Sequence, residues 1–124
     1  MKKYLRFVPA LVWMGIIFYF SSRQTTGIGG SSYWGRFFIL KSLHIIEYAI
    51  LYALLFWGFN QPLPSVIIAY IFGVSDEIHQ SFTPGRSAKF SDTLFDLLGI
   101  FLGFIFTKFL IIPILRKIKL SKPT

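Results

Sequence analysis

One polar stretch, residues 75–92, interrupts a sequence that is otherwise mostly apolar. It carries three of the five acidic residues and one of the two histidines, together with a Pro84-Gly85-Arg86 turn. Ionisable side chains beside segments apolar enough for lipid are energetically costly and usually functional. Their carboxyl and imidazole groups could transfer protons, and the Arg86 guanidinium could hold an anion. We therefore take this stretch as the centre of the candidate site.

Further polar residues recur at helical spacing, so that each set shares one face of a helix. The sets are His44 with Glu47, Asp76 with His79 and Gln80, and Asp92 with Asp96. Lys41 and Tyr48 extend the first set along its face, at three residues before and four residues after His44. Because each set lies near the end or the start of an apolar run, the three faces can meet only if their helices are neighbours.

Composition places the whole chain in a membrane. Its 124 residues suffice for one domain, and 54% of them are hydrophobic, including 15 Phe. The mean hydropathy is +0.62, outside ordinary soluble usage. The absence of Cys excludes disulfides, thiolate chemistry and Cys-based zinc sites. The net charge of +8 comes from cations that flank apolar runs, so it indicates orientation in a bilayer and not a nucleic-acid partner.

The apolar runs predict an all-α bundle of four transmembrane helices, because about 20 residues cross about 30 Å of hydrocarbon. We expect helices over about 4–22, 42–59, 65–80 and 92–112, within one domain spanning 1–124. The first run could instead be a signal peptide, but its end lacks an Ala-x-Ala-like cleavage site. A short interfacial helix over 33–38, rich in Tyr and Trp, is predicted between the first two helices.

Breaks and contacts between these helices also follow from the sequence. Two prolines and two amides in residues 60–64 predict a turn between the second and third helices. Ser91 is a plausible N-cap for the fourth helix. Gly99 and Gly103 form a GxxxG spacing, which permits close contact with a neighbouring helix.

The cations predict the orientation. Four crossings put both termini on one side, together with eight cations and no acid. The remaining five cations balance the five acids on the other side. By the positive-inside rule, both termini are predicted to be cytoplasmic and the polar sets to face outward, in a multi-pass protein of the cell membrane.

With this topology the polar ends of the second, third and fourth helices converge in one outward-facing notch. The simplest interpretation is that these residues only pair with one another and have no other role, because intramembrane ionisable groups pair to lower their energy. Two histidines with several carboxylates also resemble the Glu/His sets of metal-binding helix bundles, so a divalent metal is a candidate cofactor. No HExxH or similar strict metal motif is present.

These residues also carry a family resemblance. The strings Lys41-x-x-His44-x-x-x-Tyr48, Asp76-Glu77-x-His79-Gln80 with Pro84-Gly85-Arg86, and Ser91-Asp92-x-x-x-Asp96 with Gly99 and Gly103 are similar to those of the VanZ-like membrane protein family. The similarity covers nearly the whole chain. Where many members have Asn, this chain has Asp96, which affects the role of that position. The resemblance implies a small polytopic membrane protein, in a family whose name-giving branch is tied to teicoplanin-type glycopeptide resistance.

Two hypotheses follow for the notch. In the first, it handles a polar or anionic group of a surface lipid, glycopeptide or cell-wall precursor, and acid–base chemistry is one way of doing so. The candidate catalytic residues are Glu77, His79, His44 and Asp76. The candidate substrate-binding residues are Arg86, Lys41, Tyr48, Gln80, Glu47, Asp92 and Asp96. In the second, a non-enzymatic binding or accessory protein uses the same residues for recognition and packing. No Ser or Cys nucleophile with an adjacent base is evident.

Overall fold

The computed structural model describes residues 2–21, 33–82 and 92–121, and every regular element among them is helical. A 3-10 turn, Lys3–Phe7, leads into α1 (Val8–Ser21), which is followed by α2 (Tyr33–Phe59) and α3 (Pro62–Gln80). The last part of the chain is α4 (Asp92–Phe106), a π-helical turn (Thr107–Ile111) and α5 (Ile112–Ser121), which follow one another without a break. Four helical rods therefore form the bundle, and the predicted all-α class is confirmed.

Three of the helical rods are long and apolar enough to cross a membrane. The qualifying segments are Lys3–Phe20, Phe38–Phe59 and Thr93–Ser121. The last of these, at 29 residues, is about 43 Å long, which is more than the roughly 30 Å needed to cross the hydrocarbon. α3 does not qualify, because its final turns carry Asp76, Glu77, His79 and Gln80. A crossing by α3 remains a prediction.

The second helix begins earlier than expected. Residues 33–38, which we predicted as a separate interfacial helix, are the first turns of α2. The physical reason is that residues 36–57 contain neither proline nor glycine, so nothing interrupts helical hydrogen bonding between the two predicted segments.

The last helix also extends further than expected, continuing through Pro113 to Ser121 instead of ending near residue 112. Proline lacks an N–H and its ring crowds the carbonyl four residues earlier. The π-helical turn lies immediately before it, and the Ile112 N–H bonds the Thr107 carbonyl five residues back. In this wider turn the backbone hydrogen bonds reach five residues back instead of four. The helix therefore continues past Pro113 in spite of the missing N–H.

The turn between α2 and α3 is tighter than the predicted 60–64. Asn60 adopts the left-handed conformation (φ 55°), which asparagine tolerates better than most residues, and its N–H bonds the Phe56 carbonyl at 2.7 Å. α3 begins at Pro62 because proline fits the first helical turn, where its missing N–H has no helical partner.

α2 is the central helix and contacts α1, α3 and α4, most extensively α4. The α2–α4 contact depends on two glycines. A Cβ atom built on Gly99 would collide with the Ile45 carbonyl, and one on Gly103 would lie 2.7 Å from the Ala49 carbonyl oxygen. The predicted GxxxG contact is therefore present, and it joins helix backbones directly.

Candidate functional site

The buried faces of three helices change from apolar or small residues to polar ones at the same end of the bundle. On α2 a buried stripe runs from Leu55 back to Tyr48 and ends in His44. On α3 the small residues Ser65, Ala69 and Gly73 are followed by Asp76 and Gln80. On α4 the stripe through Gly103 and Gly99 ends in Asp96 and Thr93. We call His44, Tyr48, Asp76, Gln80 and Asp96 the polar cluster.

A carboxylate–imidazole pair links α2 to α4 within the polar cluster. His44 Nδ1 lies 3.0 Å from Asp96 Oδ1, with the imidazole N–H donating to the carboxylate. His44 is 7% exposed and Asp96 1%. A hydrogen bond between a carboxylate and an imidazole is among the stronger kinds, and burial shields it from water. The pair therefore fixes the contact of α2 with α4 at the polar end.

A second group links α2 to α3. The Tyr48 hydroxyl donates to Asp76 Oδ2 at 3.4 Å, and the Gln80 side-chain amide donates to the same oxygen at 3.2 Å. All three residues are buried, Tyr48 completely. Asp76 thus accepts hydrogen bonds from a neighbouring helix and from the next turn of its own helix.

Gly73 brings the two groups together. A Cβ atom built there would lie 3.0 Å from Asp96 Oδ2 and 3.3 Å from Cε1 of Tyr48. The absence of a side chain on α3 therefore makes room for a carboxylate from α4 and a phenol ring from α2. We did not single out this glycine from the sequence, although Ala69, Gly73, Asp76 and Gln80 follow the helical spacing of one face.

His79 does not join the polar cluster. Its ring packs against Phe18 of α1, with centroids 4.8 Å apart, and Phe18 also stacks on Phe72 at 4.8 Å. Its Nδ1 is buried and has no hydrogen-bond partner among the described residues. Glu77, 3% exposed, lies on the same turn of α3. The structure therefore brings His44, Asp76 and Asp96 together, while His79 faces α1.

Lys41 and Glu47 lie beside the polar cluster and are half-buried. The Lys41 ammonium is 5.2 Å from the centre of the Phe95 ring, a cation–π distance. The Glu47 backbone carbonyl accepts a 2.9 Å hydrogen bond from the Trp13 indole. Trp13 and Phe18, both on α1, were not predicted, since aromatic residues are frequent throughout the chain.

Other predicted site residues lie outside the described part. These are Arg86 with the Pro84-Gly85 turn, the cap residue Ser91, and the side chain of Asp92, of which only the helical backbone is described. Among the described residues no group of three or more His, Asp or Glu side chains could hold a metal ion. Chemically, the polar cluster offers two carboxylates, one imidazole, one phenol and one amide for hydrogen bonding or proton exchange.

One comparison with known proteins gave a match. Residues 6–112 match the model of the family described as VanZ/LLP1. The chain belongs to the VanZ/LLP1 family. Searches among curated proteins and among solved structures each gave no significant match. For this VanZ/LLP1 member, the matched region contains the entire polar cluster as well as Glu77 and His79, and it ends where α5 begins. The predicted family is thereby confirmed.

Proposed function

We propose that this is a protein of the bacterial cell envelope that handles a polar or anionic group of a surface lipid, glycopeptide or cell-wall precursor at the end of the bundle that carries the polar cluster, with Glu77 or His79 as a general acid or base. The observation behind this is the buried Nδ1 of His79, which has no hydrogen-bond partner in the part of the chain that the structure describes and lies on the same turn of α3 as the buried Glu77. A buried polar atom without a partner is unfavourable unless a ligand or water satisfies it. Arg86 and Asp92, close in sequence, would complete the site, with Arg86 binding phosphate or carboxylate.

The polar cluster would act as the support for this site. His44, Asp96, Tyr48, Asp76 and Gln80 hold α2, α3 and α4 in fixed relation, so that the last turn of α3 presents Glu77 and His79 at a constant position. A ligand with hydrogen-bond donors and an anionic group suits a carboxylate, an imidazole and, if Arg86 takes part as proposed, a guanidinium. Glycopeptides and cell-wall precursors have this chemistry, and a link to teicoplanin-type resistance is part of the proposal.

A non-enzymatic accessory role is the second candidate. It is favoured by the extent of burial, since Asp76 and Asp96 are each 1% exposed and both take part in hydrogen bonds inside the bundle. Groups held in this way stabilise one helix arrangement and are poorly placed to reach a substrate. In that role the cluster is a packing and recognition element, and the protein acts through binding alone.

Substitutions on one turn of α3 separate these roles. We expect His79→Ala and Glu77→Gln to insert at the parental level yet both abolish protection of a susceptible bacterial host against teicoplanin, measured as the inhibitory concentration. Ile78→Ala is the matched control, because Ile78 lies between them and is 51% exposed. If Glu77→Gln retains full protection while bulky replacements at Glu77 abolish it, the accessory role is correct instead.

The proposed orientation has its own test. Because the chain has no cysteine, single cysteines can be introduced on a clean background. With cytoplasmic termini, a membrane-impermeant maleimide should label Ser87→Cys on intact cells and label Ser121→Cys only after permeabilisation. Labelling of Ser121→Cys alone on intact cells would show that the bundle is inserted the other way, with the candidate site facing the cytoplasm.

A further inference from the structure

A cavity lies at the opposite end of the bundle from the polar cluster. Its volume is about 330 Å³, within the range of small-molecule sites. α2 contributes Ala53 and Trp57 to its wall, and the last helix contributes Ile112 and Leu115. α5 continues the last helix and makes few contacts with α1, α2 and α3, so space remains beside the end of α2.

Three cations from distant parts of the sequence surround this cavity: Arg6, Arg116 and Lys119. The Arg6 guanidinium lies 5.8 Å from the centre of the Trp57 ring, which keeps it over the wall of the cavity. Residues 1–46 and 97–124 contain no acidic side chain, so the segments that supply these cations supply no counter-charge. Like charges gathered around one cavity repel one another, and an anion placed among them removes that repulsion.

The cavity also has a polar group at its inner end. Thr107 lines it and is 2% exposed, and the Thr107 hydroxyl has no hydrogen-bond partner among the described residues. A threonine inside a helix ordinarily bonds the carbonyl one turn earlier. Here that bond is not made, and the hydroxyl oxygen is itself buried behind the lining of the cavity, so a ligand oxygen that displaced part of this lining would give it the partner it lacks among the described residues.

We propose that this cavity binds a phospholipid with an anionic headgroup. The phosphate would lie among Arg6, Arg116 and Lys119, the Thr107 hydroxyl would donate to an ester oxygen, and an acyl chain would follow the apolar wall formed by Ala53 and Leu115. Cations beside a membrane-spanning helix attract anionic lipids in general. This cavity has apolar walls and a buried hydroxyl in addition to its cations, so it is a defined site. It is distinct from the site proposed at the polar cluster.

The test is a titration of the full-length protein in neutral detergent, followed by native mass spectrometry. The two lipids are phosphatidylglycerol and phosphatidylcholine with identical acyl chains. We expect the parent protein to bind phosphatidylglycerol about tenfold more tightly than phosphatidylcholine. The double change Arg116→Gln with Lys119→Gln should abolish this preference of about tenfold, since each cation near the headgroups contributes a fewfold effect. Thr107→Val should weaken phosphatidylglycerol binding a fewfold, because the hydroxyl is lost at nearly constant shape.

Lys117→Gln is the matched control. It removes the same charge from the same helix, but Lys117 does not line the cavity. It should leave the preference for phosphatidylglycerol within about twofold of the parent, while Arg6→Gln should reduce it. Equal losses from Lys117→Gln and from Arg116→Gln would mean that net charge attracts the lipid without a site. Equal binding of the two lipids by the parent would mean that the cavity does not select an anionic headgroup. Either result would overturn the proposal.

Discussion

Replacing His44 with leucine should destabilise the protein by roughly 3 kcal/mol, because a buried carboxylate that loses its hydrogen-bond donor costs more than a neutral group left unsatisfied. The imidazole lies 3.0 Å from Asp96 Oδ1, and Asp96 is 1% exposed. His44→Leu places an apolar side chain of similar size on α2. It leaves the Asp96 carboxylate of α4 without the imidazole that donates to it. Unfolding of the purified protein in detergent, followed by helical circular dichroism, measures the loss.

Asp96 provides the controls for this prediction. Asp96→Asn retains an acceptor oxygen for the His44 N–H, so we expect it to change stability by less than about 1 kcal/mol, the net value of one neutral hydrogen bond. Asp96→Leu should be harmful alone but less so together with His44→Leu, because the double change removes both polar groups. Strictly additive losses would show that the two side chains do not interact.

Alanine at Gly99 or Gly103 should separate α2 from α4. The added methyl group would meet the Ile45 or Ala49 backbone carbonyl, which cannot move aside as a flexible side chain can. Overpacking of this kind costs about 1–3 kcal/mol, and leucine at either position should exceed that range and prevent folding. The measurements are unfolding in detergent for the alanine variants and folded yield after purification for the leucine variants.

Gly15 is the matched control for this prediction. It lies in α1, and a Cβ atom built there meets no other atom within 4 Å. Gly15→Ala should therefore be neutral or stabilise the protein by up to about 1 kcal/mol, the difference in helix propensity. A loss at Gly15 as large as at Gly103 would mean that glycine acts through backbone flexibility and not through helix contact.

The sequence allows helices and their faces to be predicted because those properties are periodic. His44, Asp76 and Asp96 could each be assigned to a helix face, and their convergence followed from the order of the helices. The individual partners could not be predicted. Whether Asp96 meets His44 or another group depends on the rotation of each helix about its axis, which packing at Gly73, Gly99 and Gly103 decides.

The extents of the helices were less predictable than their existence. Pro113 is a reasonable end signal, but the π-helical turn before it lets the helix continue to Ser121. The contact of His79 with Phe18 was also not predicted. Residues at i and i+3, such as Asp76 and His79, lie on neighbouring parts of a helix surface, and these parts can contact different helices.

The most direct test of the proposed ligand site is binding by His79→Phe. Phenylalanine preserves an aromatic ring beside Phe18 and removes both ring nitrogens, so it separates chemistry from packing. Binding of teicoplanin and of a cell-wall precursor lipid to the protein in nanodiscs would be measured by native mass spectrometry, with unfolding as the check on stability. We predict that the parent binds at least one of the two and that His79→Phe, equally stable, loses that binding; unchanged binding by His79→Phe would contradict a ligand site at the end of α3.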